Sequence, residues 1–244
     1  MTADFQEQLA ELTSVHRQLT NITERQHEIV VSGSLPFEAF ADGLETIRGS
    51  FDIELTIPRS FPESLPRVRE TGRQIESSYP HLNPDGTLCL ALPVEQRRVL
   101  REQPTFLEFV NRLVIPFLYG YSYWKKHGQH PFGEQDHGDA GVLRYYLDTL
   151  QLRDKVAVLA VLSFLLMHGY RGHHDCPCGS GLRVRGCHGT ALLQLYQLHT
   201  RHTLQSDFLA VLRICIDGCR AGRLSIPQSL RRQVDRILRK LSRR

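Results

Sequence analysis

Between residues 176 and 188 the chain places three cysteines and a histidine: Cys176-Pro177-Cys178-Gly179-Ser180-Gly181, five further residues, then Cys187-His188. Two thiolates one residue apart, with a thiolate and an imidazole following, are the four N/S donors that tetrahedral zinc prefers. To bring them to one ion the backbone must double back within this short window, and Gly179 and Gly181 supply the freedom for that turn. All four positions are filled by protein, so the pattern predicts a closed, structural Zn2+ site held by Cys176, Cys178, Cys187 and His188 rather than a set of unconnected thiols. The neighbouring His173 and His174 read as surface histidines.

Only six cysteines occur in 244 residues. They are too few and too clustered for a disulfide scaffold. Cys215 and Cys219 stand four apart on an expected helix and read as small core residues. With 41% hydrophobic and 23% charged residues, the chain has the composition of a folded domain, which excludes disorder as its main state. Its longest apolar stretch, Val156 to Met167, falls short of the roughly 20 residues a membrane span needs. Residues 1–11 carry Asp4, Glu7 and Glu11 where a secretory leader would be basic and then apolar, so a cytoplasmic location is expected. The net charge of +4 is unevenly spread: from Arg220 onward nine Lys or Arg residues face the single acid Asp235. No aromatic residues are interleaved there for base stacking, so the tail reads as a solvated helix face and nucleic acid is not an expected partner.

Phe5, Leu9, Leu12, Leu19 and Ile22 form the stripe of an amphipathic helix within residues 2–26. Between His27 and Val68 the texture turns β-like. Ile29-Val30-Val31 is short and branched, and Ser50 to Ile57 alternates with period two, with Gly33, Pro36, Gly43 and Pro58 as turns. From Thr105 onward Phe106, Phe109, Val110, Leu113, Val114 and Phe117 recur at helical spacing, with Pro104 in the first turn and Pro116 near the end. After a Gly- and His-rich loop at 128–141, a first domain closes near residue 150. Residues 151–168 suggest a helix apolar on all sides, buried in a second core or between domains. Ala191–Cys219 and Pro227–Leu241 are helical by pattern, the last with Leu230, Val234, Ile237, Leu238 and Leu241 on one face. The expected fold class is α+β: a first domain over 1–150 that opens with a helix, continues in β-strands and ends in helices, then a small α-helical, zinc-containing domain over 151–244.

Residues Pro58–Pro66 are dense in proline, and the run Tyr79-Pro80-His81-Leu82-Asn83-Pro84-Asp85-Gly86-Thr87-Leu88-Cys89-Leu90 forbids a regular helix. Asp85-Gly86 predicts a tight reversal that leaves Cys89 on a short extended piece. A thiol is a useful nucleophile when partly exposed and tuned toward the thiolate, and a thioester readily passes its acyl group to an amine. His81, Asn83 and Asp85 are polar groups able to assist an oxyanion or hold the loop. On composition alone, a lone cysteine is more often a core thiol.

These words together resemble the ubiquitin-conjugating enzyme family. Phe51-Asp52-Ile53-Glu54-Leu55-Thr56-Ile57-Pro58 matches the family's strand before its proline loop, and Phe61-Pro62 with Pro66-Arg67-Val68 matches that loop and the next strand. Tyr79-Pro80-His81 stands where the family has His-Pro-Asn, and Gly86-Thr87-Leu88-Cys89-Leu90 matches Gly-x-Ile-Cys-Leu. The resemblance covers roughly residues 1–150, with tight motifs only from 51 to 90. It implies a ubiquitin-conjugating-like fold, with an N-terminal helix, an antiparallel β-meander and C-terminal helices, and an enzyme that carries an acyl group as a thioester on the catalytic Cys89. The family's oxyanion and loop-supporting Asn role would pass to His81, with Asn83 the second candidate. The run Pro131 to Gly138, leading into Gly141-Val142-Leu143-Arg144-Tyr145-Tyr146, is similar to a bacterial branch found in antiphage (CBASS) systems beside cGAS/DncV-like cyclic-nucleotide synthases. By that resemblance Cys89 receives the synthase's C-terminal carboxyl and passes it to an amine, priming the nucleotidyltransferase, while His137 caps the loop. The cluster at 176–188 likewise resembles the SEC-C motif, a zinc element appended to many unrelated proteins.

No Gly-rich phosphate loop is present to adenylate a carboxylate, so the transferase reading requires a separate activating enzyme or another acyl route. The alternative is a non-catalytic scaffold of the same fold that binds a partner protein. The substituted Tyr79 and His81 positions favour it, and retention of Cys89 speaks against it. Fast alkylation of Cys89 at neutral pH would favour the enzyme.

Overall fold

The computed structural model describes residues 3–131 and 138–242, and the chain gathers into two units, Met1–Glu134 and Gln135–Arg244. The first opens with helix α1 (Ala3–Val15), which buries Phe5, Leu9 and Leu12 along one stripe, with His16 buried just past its end. The helix does not run to residue 26 as the hydrophobic spacing predicts. It stops at Val15, and Asn21–Glu24 forms strand β1. Leu19 is buried in the connecting turn, while Ile22 is exposed opposite Val31 of the next strand. The residues Asn21-Ile22-Thr23 combine β-branching with poor helix propensity, and the ladder beside them supplies the hydrogen bonds a longer helix would have made internally.

Strands β2 (Glu28–Ala39), β3 (Ile47–Pro58) and β4 (Arg67–Glu70) complete a four-stranded antiparallel meander in the order β1-β2-β3-β4. The period-two pattern of β3 is realised directly: Phe51, Ile53, Leu55 and Ile57 are buried and Asp52 is exposed between them. Cross-strand pairs Ile29↔Ile57, Val31↔Leu55 and Leu55↔Val68 place branched side chains side by side on the core face. A one-residue slip would turn that face to water.

Helix α2 (Pro93–Val99) follows the Cys89 segment, and a long helical run then packs on the sheet. It starts as α3 (Phe106–Phe109), whose N-cap Thr105 Oγ1 accepts from Glu108 N at 3.2 Å, and continues as α4 (Ile115–His127). Pro116 does not end it. One wide turn at Val110–Val114 intervenes, with Ile115 N donating to Val110 O, so the ladder has already shifted register where proline has no N–H to offer. Phe106 joins the layers, with its ring 5.1 Å from Phe5 and 5.4 Å from Phe61.

Among its described residues the second unit is helical: α5 (Gly138–Leu150), α6 (Lys155–His168), α7 (Gly189–Leu198), α8 (Arg201–Arg220) and α9 (Gln228–Leu241). Sequence patterning closes the first domain near 150, whereas the division falls after Glu134 and gives α5 to the second unit. Two sets of long-range bonds explain the difference. Arg213 grips Asp139 with two hydrogen bonds of 2.6 and 2.7 Å. Buried Tyr146 lies 2.6 Å from His199 Nε2 and donates to Asp207 Oδ2 at 2.7 Å. His199 Nδ1 must donate to the Leu195 carbonyl at 2.8 Å, and its Nε2 stands 3.2 Å from Asp207 Oδ2. Tyr146, His199 and Asp207 thus form one buried hydrogen-bonded group that ties α5 to the start of α8. The apolar helix predicted at 151–168 is α6, N-capped by Asp154 and buried in the core of this unit. The stretch 191–219 is broken at Thr200, whose Oγ1 caps α8 by accepting from Thr203 N at 3.1 Å. Helix α9 buries Leu230, Val234 and Ile237 as its stripe predicts.

Candidate functional site

Cys89 lies at the end of a locally determined reversal. Asn83 N donates to Thr87 O at 2.8 Å and Gly86 N to Asn83 O at 2.9 Å, with Gly86 at φ +81°, a value that glycine takes without cost. Asp85 Oδ1 accepts from both the backbone N (3.0 Å) and the hydroxyl (2.6 Å) of Thr87, which holds the Asp85 carboxyl below its ordinary value. The turn is tied to the sheet by Leu88 N donating to Val68 O (2.8 Å) and by Arg69 donating to Asp85 O (3.0 Å). Cys89 N then donates to His81 O at 2.9 Å, so two of the predicted site residues are backbone neighbours. Beyond the thiol, Leu92 N bonds Glu95 Oε2 at the start of α2, and Arg97 donates to Pro62 O at 3.1 Å, joining α2 to the proline-rich segment.

The side chains divide the predicted roles. Asn83 Nδ2 donates to Thr87 Oγ1 at 3.0 Å on the exposed side of the turn, so Asn83 braces the loop. His81 packs instead in a ring cluster: 5.1 Å from Tyr79 and 5.3 Å from His130, with His130 stacked on Trp124 at 6.1 Å and Tyr79 5.0 Å from Trp124. Tyr79 is buried and its hydroxyl is pushed up to about 12 by that burial. Sequence patterning missed His130 and Trp124, and no local signal marks them, because only α4 and the turn that follows it bring them beside the loop. Cys89 is a half-buried free thiol, and burial pushes it up, away from the thiolate. His137 lies outside the described residues, as does most of the run 131–138.

In the second unit the four predicted metal ligands converge. Their donor atoms all lie within 4.8 Å of one another. Cys178 Sγ is 3.6 Å from Cys187 Sγ, and His188 Nδ1 is 3.3 Å from Cys176 Sγ and 3.1 Å from Cys187 Sγ. In tetrahedral zinc, bonds of about 2.3 Å to sulfur and 2.0 Å to nitrogen put donors about 3.5–3.8 Å apart, so the cluster could hold such an ion with small adjustment. The hairpin that forms it closes through Cys176 N to Leu182 O at 2.8 Å, with Gly179 and Gly181 both at positive φ. His188 Nε2 donates to the Leu150 carbonyl at 2.9 Å, which leaves Nδ1 as the lone pair facing the sulfurs, the arrangement metal-binding histidines use. Burial pushes the Cys176 thiol up to about 12. At Cys178 burial works against ionisation, but hydrogen bonds from Ser180 prevail and bring it to about 6. Cys215 is a core thiol, pushed up to about 11 by burial, and is not among the cluster's donors.

Among the described residues no helix is long and apolar enough to cross a membrane. Comparison of the chain with models of known protein families, with characterised proteins and with solved structures finds no match.

Proposed function

We propose that this chain is a ubiquitin-conjugating-like cysteine transferase that carries an acyl group as a thioester on Cys89. Its donor would be the C-terminus of a cGAS/DncV-like cyclic-nucleotide synthase, primed in this way for antiphage defence in the cytoplasm. The observation that carries the reading is the placement of Cys89: a half-buried thiol directly after a rigid, doubly braced turn, bonded through its own N–H to the carbonyl of His81. The order of elements also agrees with the family resemblance: helix, antiparallel meander, proline-rich segment, cysteine loop, helices. In the reaction the Cys89 sulfur attacks the activated carboxyl carbon, the activating group leaves, and the thiol proton passes to a base. An amine then attacks the thioester carbon and Cys89 departs as the thiol. Carboxyl activation belongs to a separate activating enzyme. Because burial opposes the thiolate, the resting protein keeps its thiol protonated, and docking of the donor must supply the activation. The cysteine cluster, as a structural zinc site, would hold the second unit's hairpin closed.

The raised thiol favours one second reading, a non-catalytic scaffold that binds a partner protein. Slow alkylation is expected of both, so labelling rate does not separate them. Intact-mass spectrometry does. Wild type and Cys89→Ser are purified with the candidate synthase and activating enzyme. A thiol-labile adduct on wild type that becomes a thiol-resistant ester on Cys89→Ser is expected. Unmodified protein in both, with the partner still co-purifying, rejects the transferase.

A further inference from the structure

The second unit carries far more positive charge than its own acids can neutralise. Residues 135–244 contain 17 Lys or Arg and 8 Asp, with no Glu. Most of the described acids are already committed elsewhere: Asp139 to Arg213, Asp148 to Arg144, Asp175 to Arg183 and Asp217 to Arg220. Asp154 caps α6, and Asp207 is buried against Tyr146 and His199. This leaves Asp235 alone on α9, beside exposed Arg231, Arg232, Arg236, Arg239 and Lys240, none of which forms an ion pair among the described residues.

The fold concentrates this excess. Helix α9 turns its apolar stripe inward, so Arg232, Arg236 and Lys240 form an outward row with a spacing of about 6 Å. Helix α6 packs against α9, and beyond its C-terminal end the chain adds Arg171, His173 and His174, with the His168 and His174 rings 5.2 Å apart and those of His173 and His174 4.7 Å apart. Burial first, then the neighbouring His174 ring and the charges of Arg171, Arg236 and Lys240, hold the His168 imidazole below its ordinary value. Permanent cations from α9 and from Arg171 in the turn after α6 converge there, a surface for an extended polyanion.

We infer that the α9 face and the adjoining 168–174 turn bind the phosphodiester backbone of a nucleic acid. Three observations choose this occupant. The row is mostly arginine, whose planar fork matches phosphate oxygens. No exposed large apolar side chain lies on α9 or within 168–174, the exposed ones being at Leu182, Leu193, Tyr196 and Ile216 in this unit, whereas a protein partner needs an apolar or aromatic anchor at the centre of its interface. A membrane would need the stripe Leu230, Val234 and Ile237, which is spent inside the unit. The missing aromatic interleaving in the tail means recognition through the backbone without base stacking. The inference is independent of the role proposed for Cys89.

The test is fluorescence anisotropy of full-length protein with labelled single-stranded RNA, single-stranded DNA and duplex DNA of mixed sequence. Micromolar binding at 50 mM salt is expected, weakening about 100-fold by 200 mM if about four phosphates are contacted. The triple variant Arg232→Glu, Arg236→Glu and Lys240→Glu should lose about 100-fold. The gentler pair Arg236→Gln with Lys240→Gln should lose about 5-fold, and Arg48→Glu with Arg67→Glu in the first unit should change nothing. The relative affinities of the three probes identify which nucleic acid is bound. Absence of binding to all three at 50 mM salt, equal loss in the first-unit variants, or polyglutamate competing as well as RNA would overturn the inference.

Discussion

Tyr146→Phe removes a single oxygen atom from a site that no solvent can repair. The hydroxyl sits in a side chain with 0% exposure, donates to Asp207 Oδ2 at 2.7 Å and lies 2.6 Å from His199 Nε2. Burial first, and Asp207 second, push the phenol well above its ordinary value, so it remains a donor at all accessible pH. Without it Asp207 Oδ2 keeps one partner, His199 at 3.2 Å, and a phenylalanine ring offers no donor in the hydroxyl's place. A hydrogen bond to a charged group contributes about 1.5–3 kcal/mol, and a buried acceptor left short costs a similar amount. The variant should therefore lose about 3 kcal/mol, which for a unit of this size lowers Tm by about 12 °C. Differential scanning calorimetry of the full chain measures the shift, and hydrogen exchange should show faster opening of α5 and the start of α8, the elements that the network joins. A loss of Tm under about 2 °C would refute the stabilising role of this buried hydrogen-bond network.

Metal content should be one zinc per chain, and Cys176→Ser or prolonged chelation should remove it and unfold the 175–188 hairpin, read by elemental analysis and by circular dichroism. Because burial raises the Cys89 thiol above its ordinary value, its alkylation rate in the isolated protein should keep rising beyond pH 9; a plateau by pH 7 would contradict the burial. The Asp85 carboxyl is depressed by its bonds to Thr87, so its support of the turn is fully present above the ordinary carboxylate range and is lost as pH falls through the lower folded value. The Thr87 amide resonance should report that titration below about pH 4, and in Asp85→Ala it should stay constant over the same range.

The Cys/His cluster and the turn before Cys89 were legible because their determinants are local. Cys176 to His188 is a single hairpin, and the reversal at Asn83 to Thr87 is made by five consecutive residues bonding one another. The alternation of β3 and the stripe of α9 were legible for a related reason: one face must be buried, and periodicity alone says which. The failures are non-local. Leu19 and Ile22 continue the stripe of α1 in sequence, yet β2 offers Asn21–Glu24 a ladder that spacing cannot reveal. Pro116 sits inside a helix because the wide turn before it shifts the hydrogen bonds, a device with no residue signature of its own. His81 was legible as a polar neighbour of Cys89, but not as a member of a ring cluster with Tyr79, Trp124 and His130.

Sequence by itself thus determined which four residues, Cys176, Cys178, Cys187 and His188, come together as a cluster that could hold a metal ion, the position of the thiol after its turn, and the mixed helix and strand character, since each follows from residue type and short-range spacing. Tertiary structure alone decided where the first unit ends, because Tyr146, Asp139, His199, Asp207 and Arg213 are far apart in the chain and meet only when α5 packs on α8. It also decided the upward push on the Cys89 thiol, which depends on burial, and the shape of the cationic face, which exists only where α9 and the turn after α6 bring Arg171 and the cations of 231–240 to one side. The physical reason is common to all three: desolvation and the summed field of neighbouring charges are properties of positions in space, and a pattern along the chain does not carry them.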